Sequence, residues 1–203
     1  MYQSATSYTF DLNELPGGNI LSCMGATHLL TPAGYIDHSS YYLSDGLNMT
    51  QTLKAAGESM FYFTTSASTP PCSHLVLGKM DSLGNVLSMH RFELNTSPCS
   101  NSSGGLEITS DLGALTWGRD YNFKAVRVNQ DLGLVWCKRI SRVGGFQFIK
   151  ELPGGDLLAG INMDTAGVVV ARMNAEGEFL WAKSYMRPRG IVHDALIESD
   201  SSV

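Results

Sequence analysis

His28, Tyr35, Asp37, His38, His74 and Asp120 are the residues whose types could do chemistry, and all fall in or beside segments that read as connections. Imidazoles and carboxylates move protons and hold transition metals near neutral pH. The densest such run is YIDH, Tyr35 to His38, with His28 upstream. Its spacing matches no established metal motif, so these residues read as polar loop groups open to a ligand, with no metal. Asp37, Asp120 and Asp164 are carboxylates of the kind that glycoside hydrolysis uses in pairs, but no spacing joins any two of them. The chain has no nucleophile elbow, zinc-protease helix, phosphate loop or dinucleotide fingerprint, and no cofactor is expected. The cysteines, Cys23, Cys72, Cys99 and Cys137, form no C-x-x-C pair. Cys72 and Cys99 lie in TPPCS and SPCSNSS, loop-like segments expected on one face. They are a candidate disulfide, which would imply an oxidising compartment. Cys23 and Cys137 sit in strand patterns and read as small buried hydrophobes.

The elements that must position these residues come from an internal repeat. ELPGGNIL starts at Glu14 and ELPGGDLL at Glu151. Between and beyond them, HLVLGKMDSLGNVLSMHRFEL, FKAVRVNQDLGLVWCKRIS and GVVVARMNAEGEFLWAKSYM each hold an apolar strand, a polar turn with glycine, and a second strand. Gly84, Gly133 and Gly177 are the expected positive-φ residues of those turns. A further hairpin precedes each one, turning at Gly18, Gly57, Gly113 and Gly155. The unit is therefore four strands in about 45 residues, the period of a β-propeller blade. The expected blades are 8–49, 50–95, 104–142 and 145–187, with the start of a fifth at 190–203. One reading of that surplus strand is a fragment of a larger propeller, completed by further blades of a parent chain or by a second copy. Trp136 and Trp181 hold equivalent positions and are expected to pack between blades, whereas Trp117 ends a strand at a loop and is expected to be partly exposed. A β-sandwich is the rival fold.

The stretch GGDLLAGINMDTAGVVVARMNAEGEFLWAKSYM, Gly154 to Met186, resembles the bacterial β-propeller repeats of Bacteroidetes-type secreted and surface proteins. The first unit departs from that pattern: after its opening hairpin only SYYLSDGLNMT suggests a second one. The resemblance implies an all-β propeller and an extracellular or cell-surface location, and says nothing of an activity.

Composition narrows the partners. The net charge is -5, the pI about 5.4, and no basic stripe is present, so no nucleic-acid partner is expected. No apolar run is long enough for a membrane helix. YQSATSYTF after Met1 lacks the basic and apolar regions of a secretory signal. Strand alternation puts the short glycine turns at one end and the long connections at the other. Binding residues concentrate on variable loops over a rigid scaffold, so the long-loop end is the expected ligand face, with His28, Tyr35, Asp37, His38, His74, Trp117 and Asp120 on it. The reading is a non-catalytic binding or scaffold module for protein or carbohydrate. The alternative is a polysaccharide hydrolase or lyase with a central-pocket active site.

Overall fold

The computed structural model describes residues 11–15, 18–23, 27–40, 52–57, 59–69, 72–92, 103–118, 124–139, 145–163, 167–186 and 194–195. Within them the chain folds into four antiparallel sheets, each a meander of four consecutive strands. The first holds β1 (Asp11–Glu14), β2 (Ile20–Cys23), β3 (Thr27–Leu30) and β4 (Ile36–Ser40). The second holds β5 (Thr52–Ala55), β6 (Met60–Thr69), β7 (Cys72–Asp81) and β8 (Val86–Phe92). The third is β9 (Ser103–Ile108), β10 (Ala114–Gly118), β11 (Lys124–Val128) and β12 (Leu134–Arg139). The fourth is β13 (Gly145–Glu151), β14 (Leu157–Met163), β15 (Gly167–Met173) and β16 (Phe179–Met186). The opening strands β1, β5, β9 and β13 lie beside one another in that order and form the inner edge of the array.

Side chains alternate across a strand, so one strand can feed two cores. Phe61 and Phe63 point toward Leu21 and Leu29 of the first sheet, while Tyr62 between them joins Val126 and Val128 of the third. In β10, Ala114 belongs to the cluster shared with the second sheet, and Leu115 and Trp117 to the one shared with the fourth. Three apolar clusters therefore fill three sheet-to-sheet junctions. Sheets buried on both faces radiate like blades; a sandwich would bury one face of each. The fold is all-β, a propeller arc of about four blades.

All eight short turns start alike: the amide of a first residue donates to the carbonyl four residues on, as in Leu15 to Asn19 (2.7 Å), Thr109 to Gly113 (3.1 Å) and Asn174 to Glu178 (3.0 Å). In the β3–β4, β7–β8, β11–β12 and β15–β16 turns a side-chain oxygen of that first residue adds a second lock. Asp81 Oδ1 accepts from Asn85 N at 2.8 Å, Asn129 Oδ1 from Gly133 N at 2.8 Å, Asn174 Oδ1 from Glu178 N at 2.8 Å, and Thr31 Oγ1 from Tyr35 N at 3.2 Å. Asp and Asn at that place preorganise the turn.

This alignment corrects the expected glycines of the third sheet. The positive φ falls on Leu112 (60°) and Leu132 (63°), one residue before Gly113 and Gly133, at the place that Gly18, Gly34, Gly84, Gly155 and Gly177 occupy elsewhere. Leu132 is buried in the junction with the second sheet, which offsets its backbone strain, whereas Leu112 is exposed. The first sheet is a second correction. Its outer hairpin is β3–β4, largely within the segment expected to be a long connection, and all of SYYLSDGLNMT after Ser40 lies outside the described residues.

Sheet-to-sheet register is set by polar latches. Lys79, Arg127 and Arg172 are equivalent, two residues before the first turn residue of their hairpins. Lys79 Nζ donates to the Gln130 carbonyl in the next sheet's turn, as does Tyr62 Oη at 3.3 Å. One junction on, Arg127 Nη1 donates to the Ala175 carbonyl at 2.9 Å and Trp136 Nε1 to the same oxygen at 2.8 Å. Gln130 and Ala175 are themselves equivalent, each the second residue of its turn.

Replacing Leu112 by Gly relieves a left-handed side chain with little packing to lose, and should stabilise the chain by about 0.5–1 kcal/mol in urea unfolding. Leu132→Gly should destabilise it, because a buried side chain is lost as well. Equal effects from the two would show that the strain is not where the dihedrals place it.

Candidate functional site

The inner strands carry one polar row. Counting back from the first residue of each following turn (Leu15, Ala56, Thr109, Leu152), the third residue is Leu12, Leu53, Leu106 or Ile149. Leu53, Leu106 and Ile149 are buried, each in a junction with the preceding sheet. The next residue is polar in every case: Asn13, Lys54, Glu107, Lys150. Lys54, Glu107 and Lys150 are half-buried, and Asp194 joins them from the chain beyond the fourth sheet. Lys150 Nζ pairs with Asp194 Oδ1 at 2.8 Å and donates to the Ala195 carbonyl at 2.6 Å. The row thus alternates in sign around the inner edge: Lys54, Glu107, Lys150, Asp194.

Burial pushes the Glu107 carboxyl above its ordinary range; the charges of Lys54 and Lys150 oppose that, and those of Asp194 and Glu151 add to it. Asp194 behaves oppositely. Its burial is overcome by the hydrogen bond from Lys150, the Ala195 amide and the charges of Lys150 and Lys54, which hold it below the usual range. Among the described residues Lys54 has no ion-pair partner. Its charge acts on both Glu107 and Asp194.

The row lies toward the short-turn end of the inner strands, two residues before each turn. A second polar group sits at that end. Arg127 Nη2 pairs with Asp111 Oδ2 at 3.2 Å and lies 3.9 Å from Glu151 Oε1, and Glu151 Oε2 accepts from the Ser110 amide at 2.5 Å. Burial raises the Asp111 carboxyl, but bonds from Thr109 and Gly113 and the charge of Arg127 outweigh it and hold the group low. The Tyr62 phenol is pushed up to about 12 by burial and by the charges of Asp111 and Asp131. It stays a donor, and its one hydrogen is shared between the Leu112 carbonyl at 2.8 Å and the Gln130 carbonyl at 3.3 Å. These groups tie sheets together and are occupied by that role.

The residues expected at the long-loop end are placed otherwise. His28 is in β3, where its Nδ1 lies 2.8 Å from Ser39 Oγ, its cross-strand neighbour. Tyr35 is 74% exposed, and it and Asp37 stand at the β3–β4 turn, the opposite end from the one expected, because that segment is a hairpin. His38 is in β4 opposite Leu29, and His74 is in β7 opposite Ala67. The expected loop 66–73 is largely strand, with Cys72 opposite Thr69. The side chains of His38, His74 and Cys72, and all of Asp120, Asp164 and Cys99, lie outside the described residues, and the disulfide with them. Trp117 is buried, not exposed. Its register partner is Gly105, and the space above a residue without Cβ holds the indole: a Cβ there would stand 2.2 Å from Trp117 Cζ2. Cys137 is exposed in β12, not buried. Among the described residues no group of three His, Cys, Asp or Glu could hold a metal. Sequence reading missed the inner row, although Leu-Lys, Leu-Glu and Ile-Lys recur at one distance before the turns.

No protein-family model and no curated protein matches the chain. Solved structures of propeller type do. A protein of unknown function from Bacteroides caccae matches with a TM-score of 0.56 at 11% identity, over 90% of this chain and 84% of that one. BBS1N in complex with ARL6DN matches with a TM-score of 0.57 at 10% identity, over 89% of this chain and 56% of the other. The subtype N11 neuraminidase-like protein of A/flat-faced bat/Peru/033/2010 (H18N11) gives 0.50 at 15%, over 82% of this chain and 54% of that protein. The chain thus spans about half the length of the latter two, and the likeness is one of fold.

A carboxyl whose folded-state pKa is raised binds its proton more tightly folded than unfolded, so stability falls as pH rises from the ordinary glutamate value through the raised one. Glu107→Gln removes that slope. In urea unfolding between about pH 4 and 7, the variant should gain on the native chain as pH rises. A constant difference would place Glu107 in solvent.

Proposed function

We propose that this chain is a non-catalytic β-propeller module of a secreted or cell-surface bacterial protein, which binds an acidic group of a glycan at the inner, short-turn end of its arc. The observation that carries the reading is the inner row, and in it Lys54. The residue is half-buried, and its ammonium group has no ion-pair partner among the described residues. Lys150 stands beyond Glu107 in the same row, committed to Asp194. A carboxylate or sulfate entering beside Lys54 satisfies it and can draw Lys150 away from its exposed partner. Exposed Tyr35, Leu83 and Leu112 at the same end offer apolar and aromatic surface to a sugar or a protein. The bacterial surface location rests on the resemblance of Gly154–Met186 to surface-protein repeats.

One observation favours the enzymatic alternative. Glu107 is a carboxyl raised by burial, with a second carboxylate, Asp194, within its field. A raised carboxyl beside one held low is the division of roles that glycoside hydrolysis uses.

Affinity electrophoresis in gels containing polygalacturonate or, separately, neutral dextran distinguishes the readings. The native chain should be retarded by the acidic polymer only, and Lys54→Ala should reduce that binding about tenfold. Unaltered retardation in the Lys54 variant would sink the binding site. Release of reducing ends by the native chain, abolished in Glu107→Gln, would replace it with the hydrolase.

A further inference from the structure

The fourth sheet carries half of a junction that the third shows complete. Arg127 and Trp136 are cross-strand partners in β11 and β12, and both donate to the Ala175 carbonyl of the next sheet. Arg172 and Trp181 are cross-strand partners in β15 and β16, with the same register shift after the arginine. Asp111 holds Arg127 through Nη2 from the turn between the third sheet's first two strands. Asp156, in the corresponding turn, holds Arg172 through Nε and Nη2, both at 2.8 Å. The remaining nitrogen, Nη1, is the one that in Arg127 reaches across. Yet the Arg172 side chain is 43% exposed where that of Arg127 is 11%, and Trp181 is 40% exposed where Trp136 is 9%. Asp194 and Ala195 lie against Lys150 at the inner margin of this face, and among the described residues nothing from beyond the fourth sheet is seated on Arg172 or Trp181.

The matching half is also present. In the complete junction the indole of Trp136 rests against Gly177: a Cβ built there would stand 3.1 Å from Trp136 Cε2. Gly34 occupies the equivalent position in the first sheet's β3–β4 turn, with the same φ class, and nothing lies within 4 Å of its Cβ position. Pro32 is the residue equivalent to Ala175, and next to the turn Ile36 is 63% exposed. Among the described residues β1 and β13 do not pack side by side as consecutive inner strands do. The two halves belong to one chain and do not meet among the described residues.

We infer that a second copy of this chain docks its first sheet on the outer face of the fourth, with Arg172 and Trp181 donating to the Pro32 carbonyl and the Trp181 ring seated on Gly34. A head-to-tail contact closes when its rotation completes a circle. Two arcs of four sheets close with two such junctions related by a twofold axis along the propeller.

Sedimentation velocity over a range of concentrations tests this with the full chain. The native chain should be a dimer. Trp181→Glu on the open face, and separately Gly34→Asn, should each weaken dimerisation at least about tenfold. Asn is the side chain that best tolerates the left-handed turn, so Gly34→Asn keeps the fold and fills the space the indole needs. Far-UV circular dichroism should be unchanged in both. Mixing the two variants should restore dimer, since one of the two junctions is then intact. A native chain that stays monomeric, its face covered by its own first sheet or by a blade of another protein, overturns the proposal. So does a dimer lost with one variant only, because each junction needs both halves.

Discussion

A sheet that is apolar on both faces cannot stop at one neighbour, and this constraint governs the whole molecule. Phe61, Tyr62 and Phe63 are consecutive and all essentially fully buried. In a strand, consecutive side chains point to opposite faces, so burying all three needs a sheet on each side. Full burial of one such aromatic is worth about 1.5–3 kcal/mol, which no isolated four-stranded meander can collect on both faces. Lateral stacking follows, and with it the crowding of β1, β5, β9 and β13 along one inner edge.

Apolar stacking alone would let one sheet slide on the next. The latches prevent this. Lys79 and Arg127 bring charges into buried faces, where an unpartnered cation is costly, so each sheet settles where the next sheet's turn presents a carbonyl. Hydrogen bonds are directional where burial is not, and the carbonyls of Gln130 and Ala175 are held still by turns locked through Asn129 and Asn174. Turn chemistry thereby fixes sheet-to-sheet register. The tyrosine at this level adds to the same acceptor, and a phenol raised to about 12 remains protonated at any physiological pH.

Much of the fold was legible because period and turn chemistry are local. VVVARMN and KAVRVN alternate as strands must, and the repeated glycine turns marked the hairpins. Three features were not legible. Leu112 and Leu132 take the left-handed position that glycine holds elsewhere, so aligning glycines shifted the third sheet's turns by one residue. THLLTPAGYIDHSS carries two four- to five-residue strands around a Pro-containing turn, and its polar content hid them. Trp117 looked terminal on its strand, but its burial depends on Gly105 of another strand, a non-local fact. The candidate site was hidden for a related reason: Lys54, Glu107 and Lys150 are over forty residues apart and each looks like an ordinary strand charge until the inner strands are superposed on their turns.

Superposition also separates what serves the scaffold from what can serve recognition. At the third position before the inner turns the residue is always leucine or isoleucine, and Leu53, Leu106 and Ile149 there each fill a junction with the preceding sheet. At the next position it is always polar, yet Asn13, Lys54, Glu107 and Lys150 differ in sign and size. Packing requires only that this position be tolerated at the inner edge. It does not require an alternation of charge, nor a lysine among the described residues without an ion-pair partner. A repeat protein built by copying one unit keeps its packing positions alike and is free to diverge where the copies face the axis together. The divergent row is therefore where this arc differs from a bare stack of blades, which is why the proposed ligand is set there.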